Sequence, residues 1–339
     1  MVPEAEFRSY YGQPIIKSPV WHEPHMPAYL YLGGLSGAAS TMAAMARLTG
    51  YDHLARTAGA TAALGATAGA GFLVAELGRP ERFLNMLRVF KPTSPMSMGS
   101  WLLAVHSGLA ALAAAPAVTA GLPRVPMVTT AFPRVPAVAT AFPRVPAVVA
   151  VLPAAGDAAV AATAVTGPLM ATYTAVLLAD TAVPAWHEAR RELPFVFAGS
   201  ALAAAGAAGM LTTPRAEAAP ARAAAALGAA VETVAGTVME HRLGLVGEPY
   251  RQGKAGRRMR AARALTVAGG LLAVVAGRHR VLTALSGLAL TAGSLFTRFA
   301  VLEAGRASAT DPRYTVVPQR RRLEAGEHAS VPEPARSWP

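Results

Sequence analysis

The stretch TAGATAALGATAGAGFLVA fills residues 57–75 and carries no charged side chain. A helical run of about 20 such residues, rising 1.5 Å per residue, crosses the roughly 30 Å hydrocarbon core of a bilayer. A soluble helix rich in alanine would need charge on its exposed face. This one has none, so it reads as a membrane span.

The rest of the chain repeats the pattern. Of 339 residues, 53% are hydrophobic and 15% charged, against about 25% charged in an average soluble domain. Windows with the length and apolarity of a span cover residues 27–46, 55–76, 97–117, 157–181, 194–213, 219–242, 262–279 and 281–302. Pro214, Arg215 and Glu217 separate the alanine-rich fifth and sixth windows. The expectation is an all-α integral membrane protein with eight transmembrane helices. Gly33 with Gly37, and Gly65 with Gly69, form GxxxG pairs suited to close helix packing.

There are no cysteines, so thiolates of this chain cannot hold an iron–sulfur cluster and it has no disulfides. The first 25 residues lack the basic head and apolar core of a signal peptide. The net charge of +12 does not require nucleic acid, because basic residues of membrane proteins gather in cytoplasmic loops. Eight spans put both termini on one side. That side also receives Arg79, Arg82, Arg88 and Lys91, then Arg190 and Arg191, then the run from Arg242 to Arg263. The bias predicts cytoplasmic termini in a multi-pass protein of the cell membrane, although the opposite loops also hold arginines. The expected organisation is an N-terminal segment (1–26), a first group of spans (27–181), a second (182–303) and a C-terminal tail (304–339).

The first group is interrupted by three copies of a ten-residue unit, GLPRVPMVTT, AFPRVPAVAT and AFPRVPAVVA, from Gly121 to Ala150. Two prolines per copy argue against a regular helix and for extended, polyproline-like chain. The PxxP pattern formally matches an SH3 ligand, but tandem duplication in a tolerant loop accounts for it more simply.

Ionisable groups at membrane depth are costly, and they are usually paired or functional. His25 and Tyr29 are one helical turn apart, with His22 just before them; these also suit a membrane interface. Tyr173 and Asp180 are seven apart on the fourth span. Glu76 and Arg79, at the end of the second, suit either a local ion pair or a site. Glu232 and Glu240 share a stripe on the sixth, where Glu232 either pairs with a residue such as Arg298 or relays protons. The first three sets fall in one leaflet. There they would offer a quinone head group its hydrogen-bond donors and a route for protons.

The connector after residues 57–75, ELGRPERFLNMLRVFKPTSPMSMGSW (76–101), holds four basic residues, three prolines and three methionines. With MPAYLYLGGLSGAAS (26–40) and GPLMATYTAVLLADTAVPAWHEARRELPFVFAGSAL (167–202), it resembles the NrfD/PsrC family of polysulfide reductase-type membrane subunits. The closing FAVLEAGRASATDPRYTVVPQR (299–320) looks like the actinobacterial type that accompanies formate dehydrogenase-like proteins. The resemblance implies eight transmembrane helices in two four-helix bundles, with a quinone site in the first. It implies a non-covalently bound quinone, expected to be menaquinone, contacted by His25 or His22 and by Tyr173. The partners implied are a four-cluster ferredoxin-like iron–sulfur subunit and a molybdopterin catalytic subunit, which hold the clusters and the metal that this chain is not expected to hold. Arg82, Arg88 and Lys91 would then serve partner docking. Two other classes stay open: a secondary transporter or proton-conducting protein using Glu232 and Glu240, and a structural anchor without quinone.

Overall fold

The computed structural model describes residues 14–121, 145–277 and 279–324, and among them the only regular structure is helical. Eight long helices follow one another: α1 (His25–Leu48), α2 (Asp52–Glu76), α3 (Pro95–Gly121), α4 (Val145–Ala179), α5 (Leu193–Thr212), α6 (Ala219–Arg242), α7 (Gly253–Val275) and α8 (Arg280–Thr310). A ninth, α9 (Arg313–Glu324), closes the described chain. Six of these, α2 to α6 and α8, are long and apolar enough to cross a membrane. α1 is diluted by glycine, serine and tyrosine, and α7 opens on Lys254, Arg257, Arg258, Arg260 and Arg263. Neither reaches the apolarity of the other six.

The helices differ from the expected spans mainly in length. α4 starts twelve residues earlier than residue 157, α7 starts nine earlier than 262, and α8 runs eight beyond 302. A hydropathy window stops at charge or proline, whereas backbone hydrogen bonding does not. The expected extended form of the repeat is corrected at its end, because Val145–Ala150 belongs to α4. Pro146 sits in the first turn, where the missing N–H is no loss. Residues 122–144 of the repeat lie outside the described residues.

α1 packs along α2, α4 and α5; α3 along α4 and α2; α5 along α6 and α8; α7 along α8 and α6. The α1–α4 crossing is backbone on backbone. A Cβ on Gly37 would lie 2.4 Å from the carbonyl oxygen of Gly167, so side chains cannot be added there without separating the helices. Gly65 meets α1 in a similar way. The α5–α6 break falls at residues 213–218, around Pro214, Arg215 and Glu217.

Two buried clusters divide the interior. One is alanine-rich and holds Ala39, Ala58, Ala203 and Ala225. The other carries the large side chains Tyr29, Trp186, Phe197 and Tyr250. The polar residues of the candidate site border this aromatic cluster.

Candidate functional site

The site grows from the first turns of α1. His25 opens the helix, and Tyr29 follows one turn later on the same face. Tyr29 is only 1% exposed, and its hydroxyl lies 3.1 Å from that of Tyr173 on α4. In such a pair one hydroxyl donates to the other, and the second proton remains free to bond elsewhere. Gly99 on α3 makes room for the ring: a Cβ there would fall 1.9 Å from Tyr173.

α2 brings Glu76 to the same end. Its side chain is 8% exposed. Oε1 accepts the backbone N–H of His22 at 2.7 Å and lies 3.3 Å from His22 Nδ1. Oε2 lies 3.6 Å from His25 Nδ1 and has no hydrogen-bond partner among the described residues. Phe72, one turn before Glu76, sets its ring 6.2 Å from the His25 imidazole and packs on the cluster that holds Tyr29. The arrangement therefore joins two hydroxyls, a carboxylate and two imidazoles beside an apolar aromatic wall. His22 is the exposed end of it, with 73% of its side chain accessible.

Of the two readings of Glu76 and Arg79, a local ion pair or a site, the ion pair does not form among the described residues. α2 ends in an extended Leu77 (φ −73°, ψ 128°), which turns the chain away, so Arg79 is exposed and Glu76 faces the histidines. Asp180 lies just past the end of α4, exposed and with no side-chain partner among the described residues, so the structure does not bring it to Tyr173. Arg82, Arg88 and Lys91 are exposed on the connector, around the short helix Pro80–Leu87, which buries none of its residues.

Glu232 and Glu240 belong to a separate cluster in α5–α8. Glu232 is 6% exposed and accepts the Thr297 hydroxyl at 2.6 Å, with Thr266 at 3.4 Å. The Arg298 guanidinium lies 3.6 Å over the Phe197 ring and donates to the Phe197 carbonyl at 3.1 Å. Glu240 pairs with Arg263 at 2.6 Å.

Sequence reasoning missed Phe72, Gly99 and His106. Phe72 stands four residues before Glu76, a spacing that marks one helix face. His106 is a lone imidazole inside a charge-free window, and it is fully buried. Ser36 Oγ donates to the carbonyl of Ala62 at 2.7 Å, so it accepts from His106 Nε2 at 3.0 Å. Nδ1 meets the Thr166 hydroxyl at 2.9 Å. The ring thereby ties four helices together.

Fold and site together define a multi-pass, all-helical membrane protein with a polar cluster set into one end of its helices. The family model described as polysulphide reductase, NrfD matches residues 14–240. The chain belongs to that family, which makes it a membrane subunit of the quinone-interacting oxidoreductase class. The matched range takes in α1 to α5, α6 as far as Glu240, and every site residue from His22 to Glu240, and it stops before the 299–320 motif. A search of curated proteins found no match.

Proposed function

We propose that the chain binds a quinone, menaquinone by preference, at the Tyr29–Tyr173–His25–Glu76 cluster and exchanges electrons between it and an iron–sulfur partner. The observation that carries this is the buried Glu76 Oε2, an acceptor with no donor among the described residues, at the same end of the helices as a tyrosine pair with one proton to spare. A buried acceptor left unpaired costs about 1–3 kcal/mol, and a quinol hydroxyl is a donor that would satisfy it. A quinone supplies two-electron, two-proton chemistry when bound.

The residues divide that work. Tyr173 donates to one carbonyl oxygen of the head group. Glu76 Oε2 accepts from the hydroxyl of the reduced form. His25 and His22 pass the proton outward, since each ring nitrogen can take up or release a proton and His22 is exposed. Gly99 and Phe72 hold the Tyr173 ring and the apolar wall in place.

In this reading α1 to α8 are eight spans in two four-helix bundles, with α1 and α7 tolerated because neighbouring helices cover them. The termini lie in the cytoplasm, and the basic connector 76–101 receives a four-cluster iron–sulfur subunit that leads to a molybdopterin subunit of the formate dehydrogenase-like type. The Thr297 and Thr266 bonds to Glu232, and the Arg263 pair of Glu240, give both carboxylates structural partners, so the transporter reading is not adopted. Purification of the tagged chain from its native membrane tests the proposal. An iron–sulfur subunit should co-purify and be reduced by a menaquinol analogue. A chain that purifies alone, without quinone-linked redox activity in the membrane, would contradict it.

A further inference from the structure

Residues Trp21 to His25 face two ways. His22 and His25 turn toward Glu76 on α2. Trp21 and Glu23 turn toward the C-terminal helices. The Glu23 carboxylate takes Arg258 Nη1 at 2.7 Å and Nη2 at 2.9 Å, a bidentate bond to α7. Arg306 of α8 approaches the same carboxylate at 3.7 Å and donates to the carbonyl of Trp21. Glu303 completes the cluster, 3.8 Å from Arg258 and 3.9 Å from Arg306. The Trp21 ring stacks on Trp186 at 5.5 Å, and Trp186 is itself fixed by its indole N–H to the carbonyl of Val301 at 2.7 Å.

We propose that Glu23 is a positioning residue, through which Arg258 and Arg306 of the C-terminal helices set the His22–His25–Glu76 cluster on α1 and α2. The proposal rests on the quinone reading of that cluster. The His22 ring is largely exposed and its one described side-chain partner is Glu76, while its backbone bonds Glu76 through the N–H and Met26 of the first turn of α1 through the carbonyl. The residues on either side are what α7 and α8 grip, Trp21 by its carbonyl and Glu23 by its carboxylate. If that grip is released, the imidazoles keep their chemistry but lose their register against Glu76 Oε2. The C-terminal helices thus take part in the site without contributing a side chain to it.

The chain has no native cysteine, so within it paired spin labels attach only at introduced cysteines, and the complex without them supplies the background from its partners. Lys17→Cys and Gly78→Cys, both at exposed positions, report the distance between the segment and the end of α2 in the purified complex. Glu23→Gln, nearly isosteric, should broaden that distance distribution while the complex stays assembled. It should also lower kcat with quinone by roughly ten- to hundredfold, as expected of misplaced groups, and leave dye activity of the partners unchanged. Glu23→Asp, which keeps the charge, should recover most of both. An unchanged distribution in Glu23→Gln and Glu23→Ala overturns the proposal whatever the turnover. A broadened distribution with full quinone turnover upholds the positioning of the histidines and refutes their quinone role instead.

Discussion

Removal of the Tyr173 hydroxyl tests the tyrosine pair most sharply when it is done as a cycle. Tyr173→Phe keeps the ring that Gly99 accommodates, so packing is preserved. It leaves the Tyr29 hydroxyl, in a side chain 1% exposed, without its 3.1 Å partner. An unpaired buried hydroxyl costs about 1–3 kcal/mol, while replacing both partners by apolar groups is nearly neutral. Stability should therefore fall in Tyr173→Phe and return in the Tyr29→Phe/Tyr173→Phe double variant. Quinone chemistry should behave differently. Loss of one hydrogen bond to the head group, worth about 1 kcal/mol net, lowers kcat/KM roughly fivefold, and the double variant should not regain it. The assay is menaquinol-analogue turnover in membranes, with thermal unfolding of the purified complex alongside. If the double variant recovers turnover together with stability, the pair is only a packing element and its role in the site is refuted.

Other outcomes follow from the same geometry. Gly99→Ala places a methyl group 1.9 Å from the Tyr173 ring, so quinone turnover should fall by at least as much as in Tyr173→Phe, while a soluble dye reduced at the partner subunits is unaffected. His25→Ala should damage turnover more than His22→Ala, because the 2.7 Å bond from the His22 backbone N–H to Glu76 survives loss of the ring; both variants compared in one membrane preparation decide it. Arg258 holds the Glu23 carboxyl below its ordinary value of 4.5. A depressed carboxyl stabilises the fold above that value and loses the contribution as pH falls through the lower folded value. Thermal stability should thus drop in acid below about pH 4.5, and Glu23→Gln should remove that part of the pH dependence.

The helices were legible because each carries a long apolar run, and the fifth and sixth separated at Pro214 as their sequence suggests. Their true ends were not. α7 continues through five basic residues, and α8 through Glu303 and Arg306, since helical hydrogen bonding persists where hydropathy fails. His25 and Tyr29 sharing a face could be read from spacing alone. That Tyr29 meets Tyr173 across 144 residues could not, because spacing fixes a face of one helix and says nothing of the neighbour it touches. Glu76 illustrates the same limit. Sequence offers it Arg79 three residues on, but the extended Leu77 ends α2 and hands the carboxylate to His22 and His25. Glu23 carried no signal, since its partners Arg258 and Arg306 lie more than two hundred residues away.

Photoaffinity labelling of the intact complex with an azido-menaquinone, mapped by peptide mass spectrometry, bears most directly on the quinone site. Label should fall on the segments that hold Phe72 to Glu76, His22 to Tyr29 and Tyr173, and excess unlabelled menaquinone should suppress it. A different apolar cleft of about 480 Å³, lined by Met42, Met45, Leu202 and Ala224, borders the later turns of α1. Competable label confined to that cleft, with none near Tyr173 or Glu76, would contradict the assignment.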